Sequence, residues 1–115
     1  MKRTLLLCLA AMLALLFAAE ARPQTDPAAV SDSMIEMYKF GVLTGCRNRG
    51  REVGDPAEQV EAFCGCMIKT LNEVVSKGEW QRAIVLSLNK QEAEEMQVFT
   101  PHLPKLVHCR TKPRS

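Results

Sequence analysis

An all-α fold, a small bundle of about four to five short helices stapled by two disulfides, is what this sequence predicts, and three observations carry the prediction. Apolar residues recur at helical spacing through most of the chain, and nothing alternates with period two for long enough to make a strand. Helix-start signals such as Asp26-Pro27 and Asp55-Pro56 punctuate that pattern. Four cysteines, Cys46, Cys64, Cys66 and Cys109, follow an export signal, an even number in a short chain bound for an oxidising compartment.

The export signal occupies residues 1–21. Lys2 and Arg3 supply its positive region, Leu5 to Ala19 its uncharged apolar run, and Ala19-Glu20-Ala21 a small-x-small cleavage site, so the mature chain is expected to begin at Arg22. The apolar run, about 15 residues, is short of the roughly 20 that span a bilayer, so no stable membrane span is expected after cleavage. Cys8, the fifth cysteine, leaves with the signal. The basic start and Ala-rich run have a bacterial look, which points to the periplasm or the outside of the cell.

Loss of Lys2, Arg3 and Glu20 takes the formal charge of the chain from +2 to +1. A balance so near neutral gives no electrostatic case for binding nucleic acid or an anionic membrane. Five aromatic residues remain in the mature chain: Tyr38, Phe40, Phe63, Trp80 and Phe99. The core is therefore largely aliphatic and methionine, and small cores of that kind need staples.

Residues 22–26 form a lead-in, residues 27–109 the helical disulfide-bonded domain, and residues 110–115 a disordered basic tail. Met34, Ile35, Tyr38, Val42, Gly45 and Cys46 share a stripe that predicts a first helix ending near Cys46. Its start lies at Asp26-Pro27 or, through the Ser33/Glu36 capping pair, as late as Ser33. Arg47 to Gly54 reads as a turn whose arginines, Arg47, Arg49 and Arg51, are solvated; an acidic-partner site is the sharper alternative. Asp55 as N-cap, Pro56 at N1 and Glu58 at N3 open a second helix with Ala57, Val60, Cys64, Met67, Ile68, Leu71, Val74 and Val75 on one face, stopped at Gly78. Glu79 to Leu88 follows with Trp80, Ala83, Ile84 and Leu88 in helical register, and Asn89 with Glu92 starts a further helix that ends at Phe99-Thr100-Pro101. The last piece, His102 to Cys109, returns Leu103, Leu106 and Val107 to the core, with Pro104 tolerable in its first turn.

Four cysteines allow three pairings, and helix geometry ranks them. At about 100° per residue, Cys64 lies on the apolar face of the second helix and Cys66 about 200° away, so the two diverge and cannot readily join each other. An antiparallel return after the first helix brings Cys46 to Cys64 and leaves Cys66 for Cys109, ahead of the crossed alternative. Gly65, between the two, lies close to the bridges and leaves room for them.

Three functions fit such a scaffold. The first is binding of an unknown protein partner in the periplasm or outside the cell, in an immunity- or chaperone-like role without catalysis. Arg47, Trp80 and Phe99 are the possible contacts, because aromatic residues and arginine dominate interface energetics. The second is thiol-disulfide exchange by Cys64-Gly65-Cys66, although Cys64 sits mid-helix among apolar neighbours that do not activate a thiolate. The third is soft-metal (copper) binding by a subset of Met34, Met37, Cys64, Cys66, Met67, His102, His108 and Cys109, residue types that suit Cu(I). Ser31, Ser33, Ser76 and Ser87 have no nucleophile-elbow context, and Glu92, Glu94 and Glu95 read as a solvated face. No catalytic residue, metal ligand or cofactor is therefore assigned.

The order signal, helix, Cys46, then Phe63-Cys64-x-Cys66-Met67 with Leu71 following, then Cys109, resembles a class of small exported bacterial helical proteins. They share an early cysteine, an aromatic-Cys-x-Cys-hydrophobic helix and a late cysteine. The resemblance covers most of the mature chain and implies a helical disulfide scaffold without an activity. Acid-stress periplasmic chaperones and the disulfide-bonded immunity proteins of contact-dependent secretion systems are similar in size and compartment, but this sequence departs from both in its Cys-x-Cys helix.

Overall fold

In the computed structural model, which describes residues 25–110, every regular element is helical. The signal at residues 1–21, the lead-in up to Gln24 and the tail after Arg110 lie outside the described residues. A 3-10 turn, Pro27–Ala29, precedes α1 (Asp32–Glu52), α2 (Ala57–Val74), α3 (Lys77–Leu88) and α4 (Glu92–Phe99), and a 3-10 helix, Thr100–Cys109, closes the domain.

The entry signal at Asp26 is used, but for the short turn alone: Asp26 Oδ1 accepts from the Ala28 N–H at 2.9 Å. Ser31, rather than Ser33, caps α1, accepting from the Met34 N–H at 3.2 Å. The helix then runs past Cys46 through the stretch expected to be a turn. Arg49 and Arg51 lie in its last turn, where cations complement the exposed carbonyls. The stop comes at Gly54, whose φ of +82° suits glycine. Asp55 N–H donates to Gly50 O and Gly54 N–H to Arg51 O, both at 3.0 Å, the paired bonds of a Schellman ending.

Asp55 is not the cap of α2: Pro56, with extended ψ of 139°, holds the cap position and leads into the helix without a side-chain cap bond. At the other end Gly78 is not the stop. Val75 turns extended, and Ser76 and Glu79 form a capping box that opens α3: Glu79 N–H donates to Ser76 Oγ and Ser76 N–H to Glu79 Oε1, both at 3.1 Å. Gly78 sits inside the first turn of α3. Asn89 does not start α4 but caps the end of α3, and Lys90 takes the left-handed conformation, φ 56°, in a second Schellman ending with Gln91 N–H on Leu86 O.

Helices α1 and α2 form an antiparallel hairpin, crossed near its turn by Gly50 against Val60 and farther along by Ile35 near Leu71 and Val75. The α3–α4 hairpin packs beside it, and the 3-10 helix lies against α2 and α4. Val30, Ile35, Leu71, Val75, Trp80, Ile84 and Val85 make the core. Trp80, only 2% exposed, sits at its centre, with the Tyr38 ring edge-on at 6.1 Å and Phe99 tilted at 5.6 Å. Burial and the bond to Glu95 push the Tyr38 hydroxyl well above its ordinary pKa, so it remains a donor to that carboxylate.

The closing segment departs from expectation in its period. Residues three apart align in a 3-10 helix, and of the apolar residues there only Leu106 packs on the core, while Leu103 and Val107 stay exposed.

Candidate functional site

Both bridges grip α2. Cys46 of α1 is bonded to Cys64, and Cys109 at the end of the 3-10 helix to Cys66, with Cα separations of 5.8 and 5.5 Å. This is the connectivity ranked first from helix geometry. Cys64 is buried on the inner face and Cys66 half-buried on the flank. Each is committed to a distant partner, so the Cys64-Gly65-Cys66 exchange pair is not formed. Gly65 is exposed with nothing within 4 Å of where a Cβ would stand; it makes no room for the bridges.

Beside the first bridge the α1–α2 hairpin leaves an open groove of about 610 Å³. Val42 and Val53 from α1 and its cap, with Val60, Phe63 and Met67 from α2, give it an apolar lining. Gly50 forms part of the floor, and Arg49, Asp55 and Arg110 bring charge to the lining. Val53 is 57% exposed and Phe63 half-buried, so apolar surface faces water here.

The expected contacts fall elsewhere. Arg47 bridges the hairpin, its Nε 3.0 Å from Glu61 Oε1 and a guanidinium N–H donating to Glu61 Oε2 at 3.0 Å. Trp80 cannot meet a partner, because its ring is buried in the core. Phe99 is half-buried against that ring. The three arginines do not form one cluster: Arg49, two residues from Arg47, points to the other side of α1 and pairs with Glu52 at 3.7 Å, while Arg51 shares the side of Arg47, whose guanidinium is engaged by Glu61.

The soft-ligand residues also divide. Met37 is exposed, Met67 lines the groove, and His102 donates from Nε2 to Glu79 Oε2 at 2.8 Å. That bond and the Ser76 N–H hold the Glu79 carboxyl below its ordinary pKa. Among the described residues Cys66, His108 and Cys109 come together, with all three ligand atoms within 4.8 Å of one another. Thr70, buried on α2, joins them: its Oγ1 is 3.4 Å from His108 Nε2 and 3.7 Å from Cys109 Sγ.

Sequence reasoning missed Thr70, Val53 and the Gly50 contact. Thr70 lies outside the apolar set that defined the inner face of α2, and Val53 and Gly50 lay in a stretch read as a turn. The signal for Gly50 was its position: carried at helical phase from Cys46, it falls on the face that meets α2.

No family model, curated protein or solved structure matches the chain. Among the described residues no helix is long and apolar enough to cross a membrane. Two disulfides mark a domain that matures in an oxidising compartment.

Proposed function

We propose that this chain is a periplasmic or secreted binding protein, immunity- or chaperone-like and without catalytic activity, that holds an apolar segment of another protein in the α1–α2 groove. The observation that supports this reading most directly is the groove itself: open, apolar, and built on two helices that a disulfide keeps from closing or parting. Helix-in-groove recognition uses such a surface, with side chains of the guest one turn apart entering it. Two arginines against one aspartate in the lining favour a guest with acidic residues flanking its apolar face. The export half of the reading rests on Lys2, Arg3, the Leu5 to Ala19 run and Ala19-Glu20-Ala21.

Short amphipathic peptides with acidic or basic flanks, labelled for fluorescence anisotropy, test the reading. Acidic-flanked peptides should bind the oxidised protein more tightly than basic-flanked ones, and Phe63→Glu should abolish the binding while leaving the helical circular dichroism intact. Equal binding of both peptide classes, or binding that survives both Phe63→Glu and Val53→Glu, refutes it.

A further inference from the structure

His108 stands over the second bridge, away from the groove and independent of it. Its Nε2 is 3.6 Å from Cys66 Sγ and 3.7 Å from Cys109 Sγ. Its Nδ1 lies 2.7 Å from the Lys105 carbonyl oxygen. A carbonyl only accepts, so the ring proton sits on Nδ1 and the Nε2 lone pair faces the sulfurs. Metal-ligating histidines are fixed in this way, with the far N–H held by a carbonyl or carboxylate.

Ligand spacing decides what the three atoms can hold. Tetrahedral zinc, with Zn–S of about 2.3 Å and Zn–N of about 2.0 to 2.1 Å, sets sulfur and nitrogen about 3.5 Å apart. The two observed separations lie within about 0.2 Å of that value, so the nitrogen already stands at ligand spacing from both sulfurs. The sulfurs do: bonded to each other they cannot both ligate, and a tetrahedral site asks for about 3.8 Å between them by the same bond lengths.

We infer that the reduced chain binds Zn²⁺ through Cys66 Sγ, Cys109 Sγ and His108 Nε2, so that bridge and metal site are mutually exclusive states of the same three residues. A dithiol reductant supplies two electrons and two protons. The S–S bond breaks, Cys66 and Cys109 become thiols, and the reductant becomes its own disulfide. Zinc then displaces both thiol protons to solvent, while His108 contributes a lone pair and loses no proton. Cys66 is only half-buried and His108 exposed, so an attacking thiolate and the ion both have access. The Cys46–Cys64 bridge, beside Val60, Phe63 and Met67, has no imidazole in its groove and does not convert.

The test uses the full chain reduced under anaerobic conditions and titrated with Zn²⁺ against a chromophoric chelator, with circular dichroism alongside. The expected result is one Zn²⁺ per reduced chain and none retained by the oxidised chain. His108→Ala should weaken binding at least tenfold, and replacing Cys46 and Cys64 by Ser should leave the stoichiometry unchanged. Should the reduced chain lose its helix signal, zinc must restore it in the parent chain and not in the Cys66→Ser or Cys109→Ser variants. No zinc uptake, uptake undiminished in His108→Ala, uptake lost with Cys46 and Cys64, or failure of zinc to restore a lost helix signal each overturns the inference.

Discussion

Gly50 is a point of close approach between α1 and α2, and replacing it by Ala gives a sharp test of the packing. A Cβ built there lies 2.7 Å from Val60 Cγ2 and 3.0 Å from Cγ1. Val60 is buried and β-branched, so inside a helix its rotamer has little freedom to give way. Relieving the overlap must therefore spread the hairpin, at a cost of about 1 to 3 kcal/mol typical of overpacking. Against this, Ala gains about 0.8 to 1.0 kcal/mol of helix propensity over Gly. The net should lie between no change and a loss of about 2 kcal/mol. Gly65 supplies the control, because Ala there meets nothing within 4 Å and should stabilise by about 0.5 to 1 kcal/mol. Guanidinium unfolding of the oxidised proteins, followed by circular dichroism, measures both. A Gly50→Ala protein as stable as Gly65→Ala would refute the close approach. The double variant Gly50→Ala, Val60→Ala refines the test: the new methyl group fills space vacated by the valine, so the pair should show a favourable coupling of about 0.5 to 2 kcal/mol rather than simple addition.

Other outcomes follow from the same structure. The bridges close loops of 18 and 43 residues of separation, so on the chain-entropy model loss of Cys46–Cys64 costs about 3 kcal/mol and loss of Cys66–Cys109 about 4; thermal melts of the paired Ser variants check the values, and an unchanged melt for either contradicts its role as a clamp. Trp80→Ala should cost about 3 to 5 kcal/mol and, if the protein still folds, erase its tryptophan near-ultraviolet signal; a loss under 1 kcal/mol would deny it the core. Glu79 is held below its ordinary pKa, so its contribution is present above the unfolded value, about 4.3, and fades as pH falls through the lower folded value. Glu79→Gln should flatten the acid limb of a stability-against-pH curve, and an identical limb in both proteins would refute the assignment. Lys90 carries φ 56°, where a Cβ is disfavoured, so Lys90→Gly should raise stability by up to about 1 kcal/mol, read from the urea midpoint.

The helical class and the cysteine pairing were legible because both follow from one periodicity. Phase along α2 sends Cys64 inward and Cys66 to the flank, and no tertiary knowledge is needed to see that they diverge. Boundaries were less legible where two signals competed. Gly78 resembled a stop, but the Ser76–Glu79 box has two hydrogen bonds to offer and wins; Asp55 resembled a cap, but the helix begins one residue later, with Pro56 at the cap position and no side-chain cap bond. Lys90 occupies a position where glycine is the usual marker, so that helix end carried no local sign. Trp80 was read as a contact from residue type alone, and type does not distinguish an interface anchor from the centre of a small core. The groove arises from two helices held apart and appears in no single segment, and the approach of His108 to the bridge depends on the three-residue period of the closing helix.

Both bridges end on α2, and the second one encircles the α3–α4 hairpin. That hairpin has no cross-link of its own and is held instead by the burial of Trp80, Ile84 and Val85 in the core. Its exposed bend at Lys90 is a point where a trypsin-like protease could enter. A single cut there divides the chain into two peptides that still travel together, joined through Cys66 and Cys109, and fall apart only when a reductant arrives.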